Sequence, residues 1–227
     1  WPGGLRRNIA QCLDDYGIPF HLEETVIEIH GKDRLEGVTV AKVDKDRNPV
    51  VGTEHFIACD TLLLAVGLIP ENELSRMAGV EINPITQGPF VNELLQTSKP
   101  NIFAAGNVVI VYDLVDWVSK EAERAGRNAA LYAIGQLKQV ARQIRIVGGK
   151  NVRLYSPQFL SGQSDATIYM RVTQPIEKRC KAIVEPGLYE RQLRYARPGE
   201  MNEAHVKLED LKALGDIEEI VVDIREA

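Results

Sequence analysis

Six uncharged residues, Thr61-Leu62-Leu63-Leu64-Ala65-Val66, run into Gly67 without any polar alternation. A run that is apolar on both faces predicts a strand covered on both sides, as in a parallel sheet between two layers. Ile102-Phe103-Ala104-Ala105, stopped by Gly106, repeats the pattern on a shorter scale. Two such strands, separated by helical and loop sequence, predict an α/β chain.

The flanking sequence fills in the remaining elements. Leu5, Ile9, Cys12, Leu13 and Tyr16 recur at helical spacing before Gly17, which predicts a helix over 5–16, and Ile18–Leu22 reads as a strand. Between Thr25 and Cys59, apolar stretches broken at Gly31-Lys32-Asp33 and Asp46-Arg47-Asn48-Pro49 predict a three-stranded antiparallel meander. Pro70 closes the loop after the first apolar run, and residues 71–78 read as a short helix. From Leu114 to Arg145 there is no proline, and good helix formers dominate despite Gly126 and Gly135, so a long helix is expected. Gly148-Gly149-Lys150-Asn151 marks a boundary, after which alternation as in Thr167–Val172 predicts a mostly β module over 152–227.

Composition narrows the function. The 227 residues carry 27 basic and 32 acidic side chains, and no block of Lys or Arg suits a run of phosphates, so nucleic acid is not expected as a partner. No stretch of 18 apolar residues predicts a membrane span. Cys12, Cys59 and Cys180 are isolated, with no C-x-x-C, which points to a reducing, cytoplasmic setting and away from a disulfide scaffold or redox dithiol. His21, His30, His55 and His205 lack any metal-ligand spacing, so no metal site is expected. Asp14-Asp15 and Glu23-Glu24 read as solvated carboxylates, and Arg191, Arg194 and Arg197 with Tyr189 and Tyr195 as a solvated strand face rather than a docking stripe. No side chain is assigned a catalytic role. The opening Trp1-Pro2-Gly3-Gly4 resembles no signal peptide, and the chain is expected to be part of something longer.

Two segments, taken in order, carry a resemblance: Cys59–Asn72, containing Val66-Gly67-Leu68-Ile69-Pro70, and Thr97–Asn107, containing Ile102-Phe103-Ala104-Ala105-Gly106-Asn107. Together they resemble the paired signatures of the FAD-dependent pyridine nucleotide-disulfide oxidoreductases, flavoproteins with two dinucleotide-binding domains. The resemblance implies FAD and NAD(P) as cofactors, with Ala105, Gly106 and Asn107 meeting the flavin's ribityl chain. An acidic residue is usual at position 107. It also implies that the helix following, through Val115, Asp116, Trp117 and Val118, aims its amides at the flavin's pyrimidine edge. Gly67 and Pro70 would form the crossover from nicotinamide domain to flavin domain.

The family's G-x-G-x-x-G phosphate turns are missing, since the chain contains no G-x-G, and so is the redox cysteine pair. Within the family, the chain looks most similar to NAD(P)H-flavin oxidoreductases without that pair, such as those related to sarcosine oxidase α-subunits. The implied fold is α/β, with partial Rossmann-like FAD- and NAD(P)-binding domains, a β-meander and a small C-terminal mostly-β domain. Residues 1–60 would be the latter part of the nicotinamide domain, 61–147 the C-terminal portion of the flavin domain, and 148–227 an appended domain. The implied function is that of a C-terminal fragment of an oxidoreductase, inactive alone, moving hydride between NAD(P)(H) and a small-molecule substrate or electron acceptor. The alternative is a non-catalytic scaffold subunit, and exposed apolar strand faces would favour a partner subunit or self-association.

Overall fold

A computed structural model describes residues 6–137 and 143–227, which divide into two compact units, one ending at Gly67 and one running from Leu68 to Ala227. The fold is mixed α/β with several sheets and few helices. No helix among the described residues is long and apolar enough to cross a membrane. Trp1 to Leu5, and positions 138–142 of the expected long helix, lie outside the described residues.

The first unit opens with α1 (Arg6–Cys12), followed by a 3-10 turn over Asp14–Tyr16 that Gly17 ends at φ +64. The expected single helix over 5–16 is therefore broken near Leu13. The expected strand over 18–22 is irregular chain. The meander forms: β1 (Glu24–His30), β2 (Gly37–Lys42) and β3 (His55–Ala58) pair antiparallel in that order. Its buried apolar side chains are Val38, Val40 and Ala41 of the central strand.

Thr61–Val66 does not form the expected strand. Strand geometry is held by hydrogen bonds to neighbours, and among the described residues no strand pairs with this run, so Leu63, Leu64 and Val66 stand 88%, 70% and 89% exposed. Ile102–Ala105 likewise forms only an isolated bridge, Phe103 to Gln96.

In the second unit, α2 (Glu73–Met77) agrees with the expected short helix. The long helix, α3 (Val115–Ala133), stops short of Arg145 because Gly135 adopts φ +70, with its N–H on Tyr132 and that of Gln136 on the Leu131 carbonyl. That paired closure is a Schellman motif, which glycine accommodates without a Cβ penalty.

The β-rich remainder consists of β4 (Ile144–Gly148), β5 (Val152–Ser156), β6 (Phe159–Leu160), β7 (Ala166–Val172), β8 (Cys180–Glu185), β9 (Tyr189–Leu193), β10 (Asn202–Val206), the short α4 (Leu208–Ala213) and β11 (Glu219–Glu226). Five strands form a sheet of order β6-β4-β11-β8-β9, with β4 and β11 parallel, and three form an antiparallel sheet of order β10-β7-β5. The two share one core, in which Ile146, Ile168, Met170, Val184, Ala204, Ile220 and Ile224 are almost wholly buried. Gly148-Gly149-Lys150-Asn151 carries the chain from β4 in one sheet to β5 in the other. The alternation noted at Thr167–Val172 becomes β7, whose two faces both find cover: Ile168, Met170 and Val172 in this core, and Tyr169 in a second core with Val91, Leu95, Val109, Ile110, Tyr112 and Ala125.

Arg191 lies directly opposite the buried Ala182 on β9, the open edge of the five-stranded sheet. A charge facing the apolar side of an edge strand discourages another strand from adding there. Arg197 forms a two-pronged pair with Glu177, both contacts at 2.9 Å, and lies over the Tyr195 ring.

Candidate functional site

The residues singled out in the sequence fall into two groups. Gly67, at φ +95, closes the first unit, and its backbone angle is one that glycine tolerates and other residues avoid. Pro70, buried, stands near the start of the second unit. The remainder come together in the second unit, where Ala105 is extended and Gly106 turns at φ +74 into a 3-10 turn over Gly106–Val108. A Cβ on Gly106 would stand 3.0 Å from Val118 Cγ1, so the missing side chain lets the turn lie against the first turn of α3. The turn that holds Ala105, Gly106 and Asn107 thus lies beside the first turn of α3, Val115–Val118.

Asn107 is exposed, and its Oδ1 accepts the Tyr112 N–H at 3.1 Å. An amide can do this while keeping Nδ2 to donate elsewhere; a carboxylate at this position could only accept. At the start of α3, Leu114 provides no side-chain cap, and the N–H groups of Val115 and Asp116 have no acceptor within the helix. Asp116 and Val115 are exposed, while Trp117 and Val118 are half-buried, with Trp117 edge-on to Tyr169 at 5.4 Å and beneath the Lys120 ammonium.

Several residues that shape this surface escaped the sequence reading. Asn72, 1% exposed, donates from Nδ2 to the carbonyls of Gln87 and Val108, tying the segment after Pro70 to the 106–108 turn. Beneath α3 lies a buried polar cluster. Glu121, 2% exposed, has Arg124 at 3.4 Å, and Tyr112 meets Tyr169 edge-on at 5.2 Å. Burial pushes the Tyr112 and Tyr169 phenols well above their ordinary range, with the Glu121 charge adding to the effect.

Burial also raises the Glu121 carboxyl, against which Arg124 and the Tyr169 hydroxyl work in the opposite direction. The folded chain then holds this proton more tightly than the unfolded one. Its stabilising contribution is whole below the ordinary carboxylate range and fades as pH rises through the raised value. As pH rises above the ordinary carboxylate range, the urea midpoint of wild type is expected to fall relative to that of Glu121→Gln, which cannot titrate; parallel profiles for the two would contradict this assignment.

Among the described residues no cluster of three or more His, Cys, Asp or Glu could hold a metal ion. Chemically, the surface offers small side chains, helix-end amides that suit a partial negative charge, and an exposed amide. The sequence contains no G-x-G.

The family model described as pyridine nucleotide-disulphide oxidoreductase matches residues 4–149. Among curated proteins, the chain is 34% identical over 121 residues to nitrite reductase [NAD(P)H] of Bacillus subtilis, covering 52% of this chain and 13% of that one. It is 30% identical over 142 residues to the glutamate synthase [NADPH] small chain of Escherichia coli, covering 56% and 29% respectively. With the NAD(P)H sulfur oxidoreductase (CoA-dependent) of Pyrococcus abyssi it shares 37% identity over 91 residues, 40% of this chain and 18% of the relative. The aligned region thus spans less than a third of each of these relatives.

Proposed function

The chain belongs to the pyridine nucleotide-disulphide oxidoreductase family, and on that premise we propose that it supplies the C-terminal part of an FAD-dependent oxidoreductase acting with NAD(P)(H). Its partner in hydride transfer would be a small-molecule substrate or electron acceptor. In this reading residues 1–60 derive from the nicotinamide domain, 61–147 from the flavin domain, and 148–227 form an added module. The observation that carries it is the packing of Gly106 against Val118, which joins the small-residue turn and the uncapped start of α3 into one surface.

FAD, when bound, supplies the hydride chemistry. The chain's own residues bind and orient. Ala104, Ala105 and Gly106 allow close backbone approach, Asn107 Nδ2 donates, and the N–H groups of Val115 and Asp116 face negative charge at the helix end. Two features support a chain that is inactive alone. It contains no glycine-rich phosphate turn, and Leu63, Leu64 and Val66 of an apolar strand-like run are exposed. The run would gain its strand partners from the rest of the flavin domain, on the same polypeptide or on another subunit.

The test is an FAD titration of the 227-residue chain with an assay of NADH and NADPH oxidation. Without pyrophosphate contacts, a dissociation constant on the order of 1 mM and no turnover are expected. Binding at about 1 μM or tighter with NAD(P)H turnover would overturn the reading of an incomplete cofactor site.

A further inference from the structure

A loop, residues 109–114, joins the 106–108 turn to α3 and carries three hydrogen-bond anchors besides the Val109 and Ile110 N–H groups on the Gly106 carbonyl. One comes from nearby in sequence, the Tyr112 N–H on Asn107 Oδ1. The other two come from the β-rich part of the chain. Arg171 of β7 donates from Nη2 to the Val111 carbonyl at 3.2 Å and from Nη1 to the Pro198 carbonyl at 3.1 Å. Asp113 Oδ2 accepts the Met201 N–H at 3.0 Å.

Asp113 Oδ2 apart, the loop's polar side-chain atoms do not hold it. Among the described residues, the buried side-chain oxygens without a hydrogen-bond partner are Tyr112 Oη, Asp113 Oδ1 and Glu121 Oε1, all on this loop or on the helix it leads into. Asp113 Oδ1 lies 3.9 Å from Arg171 Nη2, which is attraction between charges rather than a hydrogen bond. Both side chains are largely buried, at 13% exposure each. The guanidinium's fixed fork lets one side chain grip carbonyls from two segments far apart in sequence.

Resting on the cofactor reading given above, we propose that Arg171 is a positioning residue: from β7 it fixes the path of residues 109–114, and thereby the placement of Asn107 relative to the first turn of α3. The β-rich part of the chain then serves the cofactor-facing surface as its floor. Tyr169, two residues earlier on the same face of β7, meets both Tyr112 and Trp117. Thr167, two further back, accepts from Arg124 of α3 at 3.3 Å.

The test compares the full 227-residue chain with Arg171→Met, which keeps bulk without donors, and Arg171→Lys, which keeps the charge and a single donor direction. Residue-level amide exchange is measured with and without FAD at about millimolar concentration. Arg171→Met is expected to speed exchange of the Tyr112 and Trp117 amides about tenfold while the amides of β8 and β11 exchange as in wild type. FAD is expected to protect residues 106–118 about twofold in wild type and not detectably in Arg171→Met, with Arg171→Lys restoring part of both effects.

Unchanged exchange at Tyr112 and Trp117, or acceleration spread evenly over β8 and β11, overturns the positioning role. FAD protection that is equal in wild type and Arg171→Met overturns it as well. If FAD protects nothing in wild type while Arg171→Met still loosens the loop alone, the hold of Arg171 on the loop is upheld and the cofactor reading fails.

Discussion

Gly88→Ala is expected to destabilise residues 68–227 by about 4 kcal/mol, read as a fall in urea midpoint or melting temperature. An alanine Cβ at position 88 would stand 1.9 Å from the Val109 carbonyl oxygen, 2.4 Å from its carbon and 2.7 Å from the Val108 oxygen. All three are backbone atoms, so no side-chain rotation relieves the overlap, and either the 83–88 turn or the 106–109 turn must move. Both are pinned. Asn83 N–H donates to the Gly88 carbonyl, Asn72 bridges Gln87 to Val108, and Val109 is fully buried. Gly126→Ala provides the contrast, because nothing lies within 4 Å of its Cβ position on an exposed face of α3. There alanine is expected to add about 1 kcal/mol through lower backbone entropy in the unfolded chain. A Gly88→Ala penalty below about 1 kcal/mol would show that the turn relaxes and that the close approach is not needed.

That pair of glycines also shows where sequence reading reached and where it stopped. Gly88 and Gly126 look alike on the page, and only the approach of a segment twenty residues away separates them. Local patterns served best where the structure is local. The meander follows from its apolar stretches and turn residues, and β7 from its alternation. Ala105, Gly106 and Asn107 stand out because small residues after an apolar run form a recognisable signature. Thr61–Val66 failed as a strand because strandness is a property of neighbours, which the run itself cannot specify. The long helix was overextended because the sum of propensities outweighed Gly135, whereas the termination is a two-bond geometry made possible by its positive φ. Asn72, Arg171 and Glu121 carry no sequence signal for their roles. Their partners lie 36, 60 and 48 residues away in Val108, Val111 and Tyr169, and nothing in local spacing announces such pairings.

Glu93 poses the same difficulty with a larger energetic consequence. It sits 1% exposed, with Oε2 accepting the Ser161 N–H at 2.6 Å and Oε1 accepting the Ser161 hydroxyl at 2.5 Å and the Gln163 N–H at 3.2 Å. One carboxylate thereby ties the 91–95 segment, which packs under α3, to the loop that leaves β6. Beside it the contact is repeated by backbone and amide: Gln158 N–H donates to the Val91 carbonyl at 3.0 Å, and Gln158 Oε1 accepts the Val91 N–H at 3.1 Å. Removing the acceptor leaves its three donors facing a buried gap, so Glu93→Ala is expected to cost about 4 kcal/mol. Glu93→Gln keeps one acceptor and turns an NH₂ toward a donor, which should cost about 2 kcal/mol. Ser161→Ala removes only the hydroxyl and should cost about 1 kcal/mol. The order of the three separates a charge-assisted clamp from simple volume filling, since glutamine fills the space as well as glutamate does. If Glu93→Gln matches wild type while Glu93→Ala does not, packing holds this joint rather than the carboxylate. If unfolding of Glu93→Ala divides into two transitions while wild type shows one, the carboxylate is what makes the helical and β-rich parts of residues 68–227 unfold together.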